Sequence, residues 1–464
     1  MSISGFRDRP KLTISLIALI TLLLSTLIVK VQVDTDPENM LSENEAVRVF
    51  NHLTKKEFTL HDVVVLGIVN EKHPDGVFNP ETLKRVKELT DFAATLSDPE
   101  DPERRVVARN IIAPSTVDTI EQAGLGQVRF RWLMEEAPTD RAGALAIRDN
   151  ALGNSLLKGT LVSEDGKALC LYLPLSTKDF AHQVRERLLE KTASFSGDDH
   201  FYITGLPVAE DTFGVEMFIQ MAISAPLAML AIFLLMLLFF KSIKMVIAPM
   251  IVAMCTVLCT MGLLIGTGNP LHIMTSMIPI FLMPIAVADS IHVLSEFFDT
   301  YPAIGDRRKT LDRVMSQLFS PMLYTSLTSI AGFASLVLTP IPPVQVFGLF
   351  VAVGIALAWA LTVVLIPAYI MLLPEKSLPE LQSAPRHEEK HDTSWSRNLG
   401  WIKSFTFKHA KLVITLTLLV LGVSAYGISL IQINDNPVKW FAPSHPIRIA
   451  DKVLNEHFAG TYEA

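Results

Sequence analysis

Seven apolar runs of about 18 residues or more, each long enough to span a bilayer, dominate the sequence. They lie near 12–29, 217–240, 245–266, 271–293, 321–339, 344–373 and 412–431. A chain with this pattern has few choices: apolar helices bundled in a membrane, with polar segments on either side. Half of the 464 residues are hydrophobic and 19% are charged. That is too apolar for an ordinary soluble enzyme and too charged for membrane throughout. Segregation resolves it, because a polar block at 31–216 separates the first and second runs and is large enough for one or two subdomains.

Lysines and arginines set the expected orientation. Arg7, Arg9 and Lys11 precede the first span, Lys241 and Lys244 lie between the second and third, and Arg307, Arg308, Lys309 and Arg313 lie between the fourth and fifth. Lys376, Arg386, Lys390, Arg397, Lys403 and Lys408 lie between the sixth and seventh, whereas "GTGNP" (266–270) and "PIPPV" (340–344) carry none. The positive-inside rule therefore expects a cytoplasmic N-terminus and the 31–216 block on the outside. The first run is long for a signal peptide and no A-x-A site follows, so it reads as an uncleaved span.

The chain also repeats itself. "RPKLTISLIALITLLLSTLIVKVQVDTDP" (9–37) aligns without gaps to "HAKLVITLTLLVLGVSAYGISLIQINDNP" (409–437), an offset of 400. Lys11 falls on Lys411, Gln32 on Gln432, Pro37 on Pro437, Arg48 on Arg448 and Phe58 on Phe458. The second copy opens with a span and the beginning of a polar block, and the sequence reads as a fragment of a protein about twice as long; the plainer alternative is a natural seven-span protein with a short outer tail. Expected segments are the N-terminus and first span (1–30), an outer α/β domain (31–216), a five-span bundle (217–373), a linker with a surface helix (374–410), a seventh span (411–431) and the start of a second outer domain (432–464).

Within the first outer block, "DVVVLGIV" (62–69) reads as a buried strand. "NPETLKRVKELTDFAATL" (79–96) reads as a helix capped by Asn79. "RRVVARNII" (104–112) is expected as a second strand, 140–152 as a helix, and 157–175 as a hairpin turning at Glu164-Asp165-Gly166. A helix at 177–195 and a strand at 200–205 complete an order that suggests split βαβ units.

One acid interrupts the fourth span. In "PIAVADSIHVLSEFFD" (284–299), Asp289 stands seven residues before Glu296, about 10 Å deeper into the apolar run. A carboxylate there costs at least about 2.5 kcal/mol. Pro279 and Pro284 lie in the same run, and each removes a backbone donor, so a kinked helix lining protein or water is expected. His292 follows Asp289 by three residues on the same face, and Ser290 adds a hydroxyl. Low dielectric favours a neutral carboxyl and a nearby cation a charged one. Such a group can alternate between states, as a proton relay requires. The plainer alternative is local pairing near the cytoplasmic surface. In the fifth span, Thr325, Ser326, Thr328, Ser329, Gly332 and Ser335 favour close helix packing. A hydroxyl from Thr325, Ser326 or Ser329 passing a proton to Asp289 is the second reading.

Other chemistry is excluded or weak. A charge of −7 gives no case for nucleic-acid binding. Cys170, Cys255 and Cys259 do not make a disulfide framework, and no phosphate-binding loop or nucleophile–base pair is present, so neither cofactor nor enzymatic activity is expected. His387 and His391 sit in a polar linker and read as solvated.

One span, an external α/β block, five spans and the same plan again resemble the resistance–nodulation–division superfamily, and within it the MMPL-type lipid exporters and relatives with sterol-sensing-like domains. The resemblance is carried by "IAVADSIHVLSEFFD" (285–299) and "TSLTSIAGFASLVLTPIPPVQVFGLFVAVGI" (325–355). It implies an α-helical polytopic protein of a bacterial inner membrane with a periplasmic α+β (split βαβ, ferredoxin-like) porter domain. It further implies proton-driven export of hydrophobic or lipid-like cargo, with Asp289 as relay acid and its partner charges in the second half. Membrane lipids and the cargo are the expected partners, and self-association is left open. This chain departs from the family pattern at Ala286, Ala288 and Ser290, where relatives carry glycine, a second acid or tyrosine. Two other classes share the layout: a non-transporting lipid or sterol sensor, and a protein-export accessory subunit.

Overall fold

The computed structural model describes residues 8–124, 127–374, 394–431 and 436–458. His387, His391 and most of the polar linker lie outside them, as does the polar stretch 432–435 of the second repeat.

The chain opens with α1 (Pro10–Ser25), extended by a 3₁₀ segment to Lys30, and a two-residue strand β1 (Val33–Asp34). Asp36 then caps a short turn by accepting from the Glu38 amide at 2.9 Å, and α2 (Ala46–Phe58) follows. An α/β unit is built from β2 (Asp62–Val69), α3 (Pro80–Ala94), β3 (Asp118–Gly124), β4 (Gln127–Trp132), α4 (Arg141–Gly153), β5 (Ala168–Leu175), α5 (Ala181–Ala193) and β6 (His200–Thr204). Helix α3 starts where its sequence says it must. Asn79 Oδ1 accepts from the Thr82 amide at 2.9 Å, and Pro80 occupies the first turn, where no amide donor is needed.

The main sheet has the order β5–β2–β6, antiparallel throughout, with Gly67 of β2 opposite Cys170 of β5 and Tyr202 of β6. Strand side chains alternate between faces. Val64, Leu66 and Ile68 face a core with Leu83, Val86 and Leu89 of α3 and Val184 and Leu188 of α5. Val65 and Val69 face the other way, together with Ala168 and Cys170, and meet Leu454 and Phe458 from the far end of the chain. A strand covered on both sides explains why "DVVVLGIV" is apolar without interruption.

Two expectations fail in this unit. Residues 104–112 do not form a continuous strand: Val106 and Ile112 bridge to β5, but a 3₁₀ turn at Ala108–Asn110 breaks the ladder between them. The 157–175 hairpin is reduced to β5 and a Val162–Leu169 bridge, although Gly166 does turn the chain with a left-handed φ of 70°. The β3–β4 hairpin was not anticipated. It is an isolated two-stranded ribbon with Phe130 and Trp132 exposed.

Long helices follow: α6 (Leu206–Phe240), α7 (Ile243–Gly266), a short strand β7 (Leu271–His272), the turn α8 (Ile273–Ser276), α9 (Ile278–Ile304), α10 (Arg307–Ala334) and α11 (Pro342–Leu372). After the linker come α12 (Ser394–Lys408), α13 (Ala410–Ser429) and α14 (Pro446–His457). Seven of these helical segments are long and apolar enough to cross a membrane. This is a multi-pass α-helical membrane protein. At 35 residues α6 is about 52 Å long, well beyond a hydrocarbon core of about 30 Å. Its first three turns bury Val208, Ala209, Asp211 and Thr212 against the α/β unit, and the apolar remainder is the span.

Helix α9 packs against α7, α10 and α11, which places it inside the bundle. Close approach elsewhere depends on glycine: a Cβ on Gly262 of α7 would lie 2.2 Å from the Leu24 carbonyl oxygen, so α1 and α7 touch backbone to backbone there. Helix α13 is exposed along its length and has no buried residue.

Candidate functional site

Asp289 lies eleven residues from the start of α9, about 16 Å along the helix and close to its midpoint. It is half-buried and accepts a hydrogen bond from Ser326 Oγ of α10 at 3.4 Å. Ser326 is itself 5% exposed. Next to the acid, Ser290 and Thr362 of α11 are both fully buried, with their hydroxyls 3.1 Å apart. Ser290 Oγ gives its one proton to the Ala286 carbonyl at 3.0 Å, so Thr362 is the donor in that pair. The three helices α9, α10 and α11 thus meet at one acid and three hydroxyls. Among the described residues Asp289 makes no ion pair.

The other residues expected here are distributed differently. His292 is exposed on α9 and makes no hydrogen bond with Asp289. Thr325 is exposed and donates to the Pro321 carbonyl of its own helix at 2.9 Å; Ser329 is half-buried one turn beyond Ser326. Pro279 falls in the first turn of α9, just after the interruption of the helical run at Met277. Pro284 is inside the helix, one turn before Asp289, and Pro302 is inside near its end. Thr362 was missed because a lone threonine in an apolar run gives no pattern.

A second polar cluster joins the α/β unit to the bundle. β1 and β7 pair in parallel, and His272 Nε2 lies 2.8 Å from Asp34 Oδ2. Asn39 donates to the same carboxylate at 2.8 Å. Beside them Lys178 reaches Asp36 at 3.3 Å, Glu38 at 3.1 Å and Glu210 at 3.6 Å, at the edge of a cleft of about 420 Å³. Asp211 accepts from the His182 amide at 2.8 Å and from Thr35 at 3.3 Å. Burial opposes the Lys178 charge, but Glu210, Asp36 and Asp62 outweigh it and hold the ammonium above its ordinary range. Burial likewise raises Asp34, yet hydrogen bonds from His272 and Asn39 win and leave its carboxyl below the usual value. The cluster's cross-segment pairs, Asp34–His272, Asp36 and Glu38 with Lys178, and Thr35–Asp211, are more than 100 residues apart and gave no local sequence signal. Among the described residues no group of three His, Cys, Asp or Glu side chains is arranged to hold a metal ion.

Comparison with known proteins now bears on this site. The family model described as "MMPL family" matches residues 84–407, which takes in most of the α/β unit after β2 and the bundle with Asp289. The chain belongs to the MMPL family. It is 20% identical over 382 residues to a membrane protein of Methanocaldococcus jannaschii, covering 80% of this chain and 93% of that one. It is 26% identical over 217 residues to the mycolic acid-containing lipids exporter MmpL11 of Mycolicibacterium smegmatis, covering 45% of this chain and 22% of the exporter.

Proposed function

We propose that this MMPL-family chain belongs to a proton-driven secondary exporter of hydrophobic or lipid-like molecules, with Asp289 taking up and releasing the proton. The carrying observation is the carboxyl at mid-helix inside the bundle, in contact with Ser326 of a neighbouring helix and beside the buried Ser290–Thr362 pair. An acid kept at that depth without an ion pair among the described residues has a high cost in the charged state, and a relay uses both states. The lipid side of the reading is supported by the likeness to MmpL11.

In this proposal the protein sits in a bacterial inner membrane with its N-terminus in the cytoplasm and the α/β unit in the periplasm. Asp8 lies 3.9 Å from Arg308, and Arg307 donates to the Met371 carbonyl, which is consistent with all three segments sharing one face. The ferredoxin-like reading of the α/β unit is supported by its β5–β2–β6 order and by the bridges of Val106 and Ile112 to the free edge of β5. The lipid-sensor alternative differs in making Asp289 structural. Proton-gradient-dependent efflux from vesicles, with Asp289→Asn beside the unchanged protein, separates the two.

A further inference from the structure

A cavity of about 330 Å³ opens where the segment after the first span meets the ends of the bundle helices. Connectivity fixes its depth. Asp34 follows the end of the first span at Lys30, Pro270 and His272 lie between the third and fourth spans, and Pro342 opens α11. The β1–β7 pair holds the first two segments together. Helices that cross a bilayer end in its headgroup layer, so these residues stand at one membrane surface.

Two charged groups that line this cavity have no counter-ion. Arg48 Nη1 donates to the Leu41 carbonyl at 2.7 Å, and Nη2 donates to Asn39 Oδ1 at 2.6 Å. Both acceptors are neutral, and they fix the guanidinium while leaving its remaining N–H groups for an anion. Glu43, which lines the same cavity, is exposed. Among the described residues neither Arg48 nor Glu43 makes an ion pair. The other charges in the lining answer each other, with His272 Nε2 lying 2.8 Å from Asp34 Oδ2. Pro342 and Pro343 bring the positive end of the 31-residue α11 to the cavity, and Leu41 and Val346 add apolar surface.

A cation and an acid without partners, at headgroup depth and beside an apolar wall, match an amphiphile that carries a phosphate and a primary ammonium. We propose that this cavity seats the headgroup of a phosphatidylethanolamine-type phospholipid, with its phosphate on Arg48 and its ammonium on Glu43. A guanidinium binds phosphate through paired N–H donors. The volume is at the lower end of ordinary ligand pockets, so it takes a headgroup and leaves the acyl chains to the bilayer. A choline headgroup has no N–H for Glu43, and a glycerol headgroup has no charge for it. Arg48 and Glu43 belong to the segment that leads into the α/β unit, whereas Pro342 and Val346 belong to the bundle. An occupied site therefore pins the two together beside the β1–β7 pair. Asp289 does not line this cavity, and the site stands whether or not that acid carries a proton.

The test is photo-crosslinking of the full-length protein in vesicles of equal phosphatidylethanolamine and phosphatidylglycerol content. Benzoylphenylalanine replaces Leu41, whose backbone carbonyl keeps its bond to Arg48, and in a reference variant it replaces Leu227, exposed on α6. Lipid adducts are identified by mass spectrometry. Position 41 is expected to favour phosphatidylethanolamine about tenfold relative to position 227, the ratio that one hydrogen bond to a charged group supports. Arg48→Gln should remove most lipid adducts at position 41, and Glu43→Gln should abolish the preference while adducts persist. Adducts at position 227 should be unchanged in both, which shows that the protein is folded and inserted. Should Arg48→Gln fail to insert, Glu43→Gln, at an exposed side chain, still decides. Excess glycerophosphoethanolamine should not compete; competition would assign the site to a soluble phosphodiester and overturn the lipid proposal. The same headgroup composition at both positions, a preference for phosphatidylglycerol, no adduct at position 41 while position 227 reacts, or a preference that survives Glu43→Gln would also overturn it.

Discussion

Gly67→Val should pry α14 off the sheet, and a buried thiol makes the event visible. The new Cβ would fall 2.2 Å from Cδ2, 2.8 Å from Cδ1 and 3.0 Å from Cγ of Leu454, so this buried side chain must give way, by leaving its rotamer or by carrying the helix with it. Overpacking of this kind costs about 1–3 kcal/mol, a change of about 5- to 150-fold in the docked-to-open ratio. Cys170 is 2% exposed beneath the same contact, and its burial pushes the thiol up, so in the docked state it reacts poorly at neutral pH. Maleimide labelling of the Cys170 peptide, followed by mass spectrometry, should accelerate by about the same 5- to 150-fold, because local opening limits access. Leu454→Ala alone should also speed labelling by leaving a cavity, whereas combined with Gly67→Val it should relieve the clash and give less than the product of the two effects. Wild-type labelling in Gly67→Val, or strictly multiplicative effects in the pair, would refute the packing argument.

Lys178→Met leaves Asp36, Glu38 and Glu210 facing one another without their shared cation. Loss of one partner from a largely buried ionic cluster costs about 3–5 kcal/mol, and a thermal melt of the purified protein should fall accordingly. The Asp34 and Glu38 carboxyls are held below ordinary values of 3.8 and 4.5 although burial opposes this, by His272 and Asn39 for Asp34 and by Lys178 for Glu38. Lowered carboxyls contribute stability above those ordinary values and lose it as pH falls through the lowered ones. The melting temperature should therefore drop below about pH 4, less steeply in Asp34→Asn. Thr362→Val removes the donor to buried Ser290 and should cost about 1–3 kcal/mol, whereas Thr325→Val, at an exposed hydroxyl, should stay within about 0.5 kcal/mol.

The spans were legible because bilayer-length apolar runs leave little freedom, and Asp289 was legible as an exception inside one of them. Strand β2 and helix α3 were legible from an unbroken apolar run and an Asn-Pro cap. What escaped notice was long-range. Ser326 stood out only as one hydroxyl of several, and contact with α9 rather than spacing singles it out from Thr325 and Ser329. His292 shares a helical face with Asp289 by spacing, yet it is exposed and makes no hydrogen bond with the acid. The helical run is interrupted at Met277, two residues before Pro279, and Pro284 lies inside α9. In the β3–β4 ribbon only β3, with its Gln-Ala-Gly end, has weak strand propensity; β4, Gln-Val-Arg-Phe-Arg-Trp, alternates polar and apolar residues and carries a legible strand signal.

The central claim is that Asp289 exchanges a proton during export. Its most direct test is efflux of a lipophilic dye from vesicles holding the full-length protein under an imposed proton gradient, with wild type and Asp289→Asn at matched insertion. The account predicts gradient-dependent efflux by wild type and none by Asp289→Asn, with the melting temperature of the variant unchanged or raised by loss of a buried charge. Equal efflux by both proteins would contradict it and leave the carboxyl a structural group.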